Sequence, residues 1–530
     1  MSKEGASTQK GFLGFVERTG NRLPDPVFIF VYLIGILLVI SVFCDWTGVS
    51  AAHPTKMAED GSGPLILTAK SLLSAENIRA FWTEMPKTFT HFHPLGYVLV
   101  VMLGAGVAER SGLFASGIKY AMRHAPKGLL TPTVALVAML ANHAADAGYV
   151  VVIPLAAIIF AAAGRHPLAG IAASFAGVSG GFSANLTPGS LDALLFGITE
   201  AAVEAARLDA EWTMNIAGNW FFIAALLVIY LPVIWFVTDK IIEPRLGPWH
   251  PGEEHKESFG EDAKPLTGDQ KRGLRCAGFA ILGVCLLWVA MTFGPGRPLL
   301  NDGPGMVGQA WYVTANPFFQ SLVGGFMVLF LAAGWAYGSA AGTIQSGDDL
   351  VSMMTESMKD MGYYLVLAFA AAHFVAMFNW SNLGLITAVH GAGAIEASGL
   401  PLPAALGLIV LFSALLNLFV GSASAKWALL APVLVPMLML LGISPEGATA
   451  AYRVGDSATN IITPLMVYFP LILIFARRWQ KGFGIGSLTA MMLPYSVWML
   501  ITGVALMILW IALGIPLGPG APMGIELGGG

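Results

Sequence analysis

The ten residues Gly104-Ala-Gly-Val-Ala-Glu-Arg-Ser-Gly-Leu113 recur 287 residues later as Gly391-Ala-Gly-Ala-Ile-Glu-Ala-Ser-Gly-Leu400, with seven of ten positions identical. One match between glycine-rich segments is weak evidence, and Glu109 and Glu396 stand where a dinucleotide-binding motif needs its third glycine. Three further matches follow in the same order, and this order predicts an internal structural repeat. They pair residues 146–149 with 424–427, Pro167 with Pro445, and 183–188 with 457–464.

The composition excludes a soluble protein. Of 530 residues, 56% are hydrophobic and only 11% are charged, whereas a soluble domain carries about 25% charged residues. The 28 Lys and Arg are outnumbered by 32 Asp and Glu, so the chain also lacks the basic surface of a nucleic-acid-binding protein. The class predicted is an all-α polytopic membrane protein in contact with the lipid bilayer.

The apolar segments predict about nine transmembrane helices. Seven uninterrupted stretches are long enough to cross about 30 Å of hydrocarbon: 24–46, 88–109, 216–239, 275–294, 316–338, 361–396 and 488–514. The first is too long for a signal peptide, and no cleavage site follows it. Two further regions contain Gly, Pro, Asn, Asp and Ser. We interpret each as a re-entrant hairpin (128–163 and 403–442) followed by a broken crossing helix (166–202 and 446–477).

Basic residues predict the sidedness of these spans. With the N-terminus in the cytoplasm and the C-terminus in the periplasm, 20 Lys and Arg lie inside, six lie outside, and Lys426 and Arg453 lie within the membrane. The two repeats then begin on opposite faces. Inverted-topology repeats of this kind are typical of secondary transporters, whose binding sites lie where helices break near the bilayer centre.

The same interpretation divides the chain into six parts. These are a cytoplasmic N-terminal segment (1–23), a first half with repeat 1 (24–240), a cytoplasmic linker (241–274), scaffold helices with an amphipathic segment (275–360), repeat 2 (361–477), and a last transmembrane helix with a C-terminal tail (478–530).

The breaks supply candidate cation ligands, because irregular backbone inside a membrane is tolerated only where protein or a water-lined cavity satisfies its polar groups. Side-chain oxygens and free carbonyls suit a hard cation such as Na⁺, and helix N-termini suit a carboxylate. The alternative is that these polar residues serve helix packing. The candidates are Asn142, Asp146, Asn185, Thr187, Ser422, Asn460 and Thr463. Asp146 is interpreted as a cation ligand or a proton carrier.

Other ionisable residues at membrane depth leave two interpretations open. Arg453 either holds an anionic substrate or pairs with Asp456, three residues later. Lys426 either reaches the membrane surface or faces the cavity. Asp192 is a site residue or a packing residue, and Trp427 stacks on an aromatic ligand or packs in the core.

The sequence shows no transition-metal cluster, P-loop or nucleophile–base pattern, so we expect no cofactor and no enzymatic activity.

Three stretches resemble the AbgT family of p-aminobenzoyl-glutamate transporters: Gly11-Phe-Leu-Gly-Phe-Val-Glu-Arg-Thr-Gly-Asn-Arg-Leu-Pro-Asp-Pro26, Ser424-Ala-Lys-Trp427 and Tyr452-Arg-Val-Gly-Asp-Ser-Ala-Thr-Asn460. The resemblance implies a homodimer of nine-span protomers in the bacterial inner membrane. It implies p-aminobenzoyl-glutamate as substrate, or sulfonamide antimetabolites for members that export drugs. It also implies the substrate-binding residues Asp192, Ser424, Trp427, Pro445, Arg453, Asp456 and Pro464.

The resulting hypothesis is a cation-coupled secondary transporter of these compounds that works by alternating access. Na⁺ and H⁺ both remain open as the coupling ion, and so do import and export. A Na⁺-coupled dicarboxylate transporter of similar architecture is the nearest alternative. An intramembrane enzyme with Asp146 and Asp456 as a carboxylate pair, and a passive channel, are more distant ones.

Overall fold

A computed structural model describes residues 25–57, 63–123, 127–144, 148–206, 208, 212, 214–249, 265–301 and 311–525. Asp146 and nearly all of the N-terminal motif lie outside these residues. The described chain is mostly helical.

Twenty-one α-helices are described. In chain order they are α1 Pro26–Thr47, α2 Ala75–Thr90, α3 His93–Arg110, α4 Leu113–Arg123, α5 Leu130–Leu140, α6 Ile153–Ala162, α7 Pro167–Phe175, α8 Ser190–Ala206, α9 Trp220–Phe236, α10 Glu243–Leu246, α11 Gly268–Phe293, α12 Trp311–Thr314, α13 Asn316–Ala341, α14 Gly347–Asp360, α15 Gly362–Trp380, α16 Leu383–Ala397, α17 Leu402–Asn417, α18 Ala423–Leu440, α19 Pro445–Thr459, α20 Phe469–Trp479 and α21 Ile485–Leu513. Short 3₁₀ turns (Lys127–Leu129, Ala141–Ala144) and π turns (Gly148–Val152, Ala176–Gly180, Val237–Ile242) adjoin them.

One small sheet corrects the expectation of an all-α fold. Strands β1 (Ser50–Met57) and β2 (Pro64–Thr68) pair antiparallel, with Ser50 opposite Thr68. Gly48, at φ 68°, ends α1 in the left-handed region and turns the chain toward β1. The exposure of β2 alternates along the strand, a pattern of two that a search for long apolar runs does not detect.

Eight described helical segments are long and apolar enough to cross a membrane, against nine predicted crossings. They are Pro26–Thr47, Ala75–Arg110, Trp220–Leu246, Gly268–Phe293, Asn316–Ala341, Gly362–Trp380, Ala423–Leu440 and Ile485–Leu513. Seven of them coincide with the uninterrupted predicted spans. Each of the two predicted broken crossings is divided into helices that are individually too short to cross a membrane. The eighth segment is α18, the second arm of the predicted hairpin at 403–442.

The predicted span 361–396 is two helices, which corrects the expectation of a single one. Helix α15 ends at Trp380, and α16 begins at Leu383. Asn382 between them has φ 61°, a left-handed conformation that asparagine tolerates better than most residues. Its side-chain amide donates to the carbonyl of Thr68 at 2.9 Å, so the break is tied to β2.

The two interrupted regions have the same order of elements. Each contains a pair of helices (α5 with α6, α17 with α18), and each pair is followed by a helix that breaks (α7 before α8, α19 before α20). Every residue of α7 and of α19 is buried, so these two helices form the centre of the protein. The side of the membrane on which each pair begins stays a prediction from the charge distribution.

Candidate functional site

Two buried ion pairs meet on helix α19. Arg453 Nη2 lies 2.5 Å from Asp192 Oδ1 on α8, and the ammonium of Lys426 on α18 contacts the carboxylate of Asp456. All four side chains are at most 2% exposed. The interpretation that Arg453 pairs with Asp456 is therefore wrong, and so is the interpretation that Lys426 reaches the membrane surface. Each charged side chain pairs with one on another helix, because α19 packs against both α8 and α18.

Asp192 is held by two groups. Its Oδ2 accepts from the backbone N–H of Gly189 at 2.7 Å, and its Oδ1 accepts from Arg453. Asp192 lies in the first turn of α8, directly after the break that ends at Gly189. An acidic side chain at this place is favoured, because the N–H groups of a first helical turn carry partial positive charge.

Asn417 completes the second ion pair. Its Oδ1 accepts from Lys426, and its Nδ2 donates to the carbonyl of Asp456 at 2.7 Å and to Thr459 Oγ1 at 3.1 Å. The last residue of α17 thereby bridges α18 and α19.

Trp427 is fully buried and joins three helices. Its ring stacks on Tyr452 with 4.6 Å between centroids and 25° between planes. Its indole N–H donates to Thr199 Oγ1 at 2.8 Å, and Thr199 Oγ1 lies 2.9 Å from Thr449 Oγ1. In this conformation the indole is a packing and hydrogen-bonding group between α18, α8 and α19.

A cavity of about 200 Å³ lies beside Asp192, at the predicted tip of the first hairpin and the first break. We call it the first-repeat cavity; it is lined by Asn142, His143, Tyr149, Phe182, Asn185, Gly189, Ser190, Leu191 and Asp192. Asn185 Oδ1 is buried and has no partner among the described residues. Asn142 Nδ2 donates to the carbonyls of Met139 and Gly181, at 2.8 and 3.4 Å. The cavity thus brings Asn142 and Asn185 together with Asp192.

The remaining candidate residues lie on or near the two breaks. Thr187 is exposed, with its Oγ1 3.3 Å from His143 Nε2. Thr463 Oγ1 donates to the carbonyl of Leu418, and Ser422 caps α18 by accepting from the N–H of Ala425, both at 3.3 Å. Three others are placed by position alone: Pro445 begins α19, Asn460 is its C-cap residue, and Pro464 lies in the break that follows.

One contact joins the two predicted repeats at a matched position. The backbone N–H of Ser183 donates to Ser457 Oγ at 3.2 Å, and these are the serines that the sequence comparison aligned. Ser424 Oγ lies 3.2 Å from Ser422 Oγ at the predicted tip of the second hairpin. Side-chain contacts do join the three helices that carry the predicted substrate residues, because α19 pairs with α8 and α18, and Trp427 on α18 donates to Thr199 on α8.

Sequence reasoning missed four residues of this region: Asn417, Thr199, Thr449 and Glu446. The three neutral residues carry no signal in the sequence, because their partners are up to 250 residues away. Glu446 follows Ser444 and Pro445, and this pattern resembles an ordinary helix start. Its side chain is only 2% exposed.

Known proteins match nearly the whole chain. The sequence profile of the AbgT putative transporter family matches residues 11–525. The p-aminobenzoyl-glutamate transport protein of Escherichia coli (strain K12) is 38% identical over 522 residues, which is 98% of each chain. The Alcanivorax borkumensis YdaH transporter has a TM-score of 0.85 and 42% identity, and the match covers 94% of this chain and 100% of that one. Neisseria gonorrhoeae MtrF, which illuminates a class of antimetabolite efflux pumps, has a TM-score of 0.87 and 41% identity, and the match covers 97% and 100%.

The similarities to known transporters and the membrane-length helices both indicate a membrane-spanning protein. The chain is therefore a multi-pass protein of the bacterial inner membrane and belongs to the AbgT transporter family.

Proposed function

We propose that this chain is a cation-coupled secondary active transporter of p-aminobenzoyl-glutamate, of sulfonamide antimetabolites, or of both. It exposes its site to the two sides of the membrane in turn, and Na⁺ or H⁺ drives the transport. The similarity to the p-aminobenzoyl-glutamate transport protein and to MtrF supports the substrate class.

The observation that carries the proposal is the Arg453–Asp192 pair beside the first-repeat cavity. A glutamate conjugate brings carboxylates, and a buried guanidinium binds a carboxylate through strong charge-assisted hydrogen bonds. An arriving substrate carboxylate would compete with Asp192 for Arg453. A displaced Asp192 would then need a cation, because a buried carboxylate without a countercharge is costly. Competition of this kind couples anion binding to cation binding.

The other candidate residues have roles that fit this scheme. Asn142, Asn185 and Thr187 in repeat 1 and Ser422, Asn460 and Thr463 in repeat 2 supply oxygens for the cation. Ser424, Trp427 and Asp456 contact the aromatic part of the substrate once α18 moves relative to α19. Pro445 and Pro464 delimit α19 and its break, because proline cannot continue a helical hydrogen-bond pattern. We also propose a homodimer, for which the exposed apolar face of α11 is available.

The test uses purified protein in sealed vesicles. Labelled p-aminobenzoyl-glutamate is followed under an imposed Na⁺ gradient and then under a pH gradient, with Arg453→Ala alongside. We expect the wild type to accumulate the compound against its own gradient and the variant to lose this activity. Accumulation of succinate in place of p-aminobenzoyl-glutamate would contradict the proposal and favour a dicarboxylate transporter. Flux that neither gradient drives uphill would indicate a channel.

A further inference from the structure

Glu446 is an acidic residue in the protein interior for which the transport scheme above has no role. It lies in the first turn of α19, directly after Pro445, and it is 2% exposed. Its Oε2 has no hydrogen-bond partner among the described residues. Gly218 covers it closely, because a Cβ at Gly218 would lie 2.8 Å from Glu446 Cγ.

A second cavity, of about 10 Å³, adjoins this carboxyl group. Asp192, Asn219, Glu446, Thr449 and Arg453 are among its lining residues. Besides Glu446 Oε2, two more lining atoms, Asn219 Oδ1 and Arg453 Nε, are buried without a partner in the described part of the chain. The volume is close to that needed for one water molecule. Three unsatisfied polar atoms around one small cavity indicate a site for one water molecule or another small polar species.

The charged groups near Glu446 form ion pairs or hydrogen bonds with other residues. Arg453 pairs with Asp192, and Lys426 on α18 pairs with Asp456. On the other elements around α19, Glu200 on α8 accepts from Tyr97 at 3.1 Å, and Glu204 lies on the same helix. Two tyrosines also lie on α19 and α21: Tyr452 donates to the Ala423 carbonyl, and Tyr495 Oη lies 2.7 Å from Thr238 Oγ1. No ion pair with Glu446 forms among the described residues.

The neutral acid is the form that this environment favours. Burying a carboxylate without a countercharge costs more free energy than its interaction with the partial positive charge of a first helical turn recovers. A protonated carboxyl group needs only one acceptor for its proton, and Asn219 Oδ1 on the same cavity offers one.

We propose that Glu446 is a proton-binding site of the transport cycle. This inference rests on the proposed function, and it makes the proton a coupling ion at a site separate from the oxygen-lined first-repeat cavity. Glu446 holds its proton in the present conformation. When Arg453 leaves Asp192, or when the loop 214–219 admits water, the O–H bond breaks, the proton passes to a water molecule, and a carboxylate remains beside Arg453.

The experiment compares the wild type with Glu446→Gln, which imitates the protonated acid and cannot release a proton. Glu200→Gln is the matched control, because it makes the same change on the neighbouring helix at a carboxyl group that accepts from a tyrosine. Vesicles without Na⁺ receive a pH gradient of either sign, and uptake of labelled p-aminobenzoyl-glutamate is divided by uptake without a gradient. We expect this ratio to fall to near one in Glu446→Gln and to stay at the wild-type value in Glu200→Gln.

An infrared measurement tests the protonation of Glu446 independently of transport activity. At about pH 7, the difference spectrum of substrate-free wild type minus Glu446→Gln should show the carbonyl stretch of a protonated carboxyl group. A wild type that transports nothing would refute the proposed function, and the infrared spectrum would still test Glu446. The proton site is refuted if the band is absent, or if Glu446→Gln keeps the wild-type ratio. If Glu446→Gln shows no measurable flux, the presence or absence of the infrared band decides whether Glu446 holds a proton.

Discussion

The ammonium of Lys426 contacts the carboxylate of Asp456 in the protein interior, where the two side chains are 1% and 0% exposed. The two residues come from different helices, α18 and α19, and Asn417 at the end of α17 bonds to both. Removing two charges from water costs several kcal/mol per ion, roughly what their attraction returns. The pair thus constrains how α18 packs against α19 and is not a large source of stability.

The first prediction concerns this pair. Lys426→Met leaves the Asp456 charge buried alone, and we expect it to destabilise the protein by about 3–5 kcal/mol. Lys426→Met combined with Asp456→Asn removes both charges and should recover most of that loss. Thermal unfolding in detergent at a fixed scan rate measures the effect. Lys271→Met changes an exposed lysine of α11 and should shift stability by less than about 0.5 kcal/mol. A double variant less stable than Lys426→Met would contradict the prediction.

The second prediction concerns the competition for Arg453. Asp192→Asn keeps an oxygen for the N–H of Gly189 but removes the charge that Arg453 now contacts. Because a hydrogen bond to a charged group contributes about 1.5–3 kcal/mol, p-aminobenzoyl-glutamate should bind Asp192→Asn about tenfold more tightly or better. Equilibrium binding of the labelled compound measures this effect, and Arg453→Met should abolish binding. Weaker binding by Asp192→Asn would instead show that Asp192 contacts the substrate directly.

The third prediction tests the packing of α19 against α17. A Cβ at Gly455 would lie 2.2 Å from the carbonyl oxygen of Val410, so the two backbones approach closely here. Gly455→Ala should destabilise the protein by about 1–3 kcal/mol, because the helices must separate. Gly393→Ala on α16 is the control, since nothing lies within 4 Å of its Cβ; it should be neutral or stabilising by up to about 1 kcal/mol. Equal melting temperatures for the two variants would contradict the close approach.

The sequence predicted the long helices well because a membrane imposes a minimum length of apolar chain. Seven of the eight membrane-length segments coincide with predicted spans. The short sheet and the break at Asn382 were missed, because each depends on a local turn that hydropathy does not report. The two repeats stay a prediction from landmarks that recur in order, and the Ser183–Ser457 contact joins one matched pair.

The partners of the buried charges could not be predicted. Asp192, Lys426, Arg453 and Asp456 were recognised as costly at membrane depth. Which charge meets which depends on how α8, α18 and α19 cross, and Asp192 and Arg453 are 261 residues apart. Glu446 was overlooked for the opposite reason. Its local pattern fits a helix start, and only tertiary packing buries it.

The fourth prediction concerns pH and the amphipathic helix α14. Asp349 accepts from the N–H groups of Gln345 and Ser346 at 2.8 and 2.9 Å, and these hydrogen bonds lower the pKa of its carboxyl group. A lowered folded-state pKa adds stability that is present above the unfolded pKa of about 3.9 and lost as pH falls through the folded pKa. Hydrogen exchange at the start of α14 should therefore quicken, relative to unfolded peptide, below about pH 4.

The control for that measurement is in the same helical turn. Asp349→Asn should remove the pH dependence, and Asp348→Asn should retain it, because Asp349 is the acidic member of the capping box with Ser346. Retention of the pH dependence in Asp349→Asn would assign it to another group.

The last prediction decides between the two interpretations of Trp427. Its indole is now buried against Tyr452 and bonded to Thr199, so contact with a substrate requires α18 to move. If the ring of p-aminobenzoyl-glutamate then stacks on Trp427, Trp427→Leu removes an aromatic pair that contributes about 0.5–1.5 kcal/mol. Binding of p-aminobenzoyl-glutamate should weaken about two- to tenfold, while binding of a glutamate conjugate without an aromatic ring should stay unchanged. Trp427→Phe keeps a ring and should bind both ligands nearly as the wild type does. If Trp427→Leu weakens both ligands equally, Trp427 acts through packing alone, and recognition of the ring must come from other residues around the breaks.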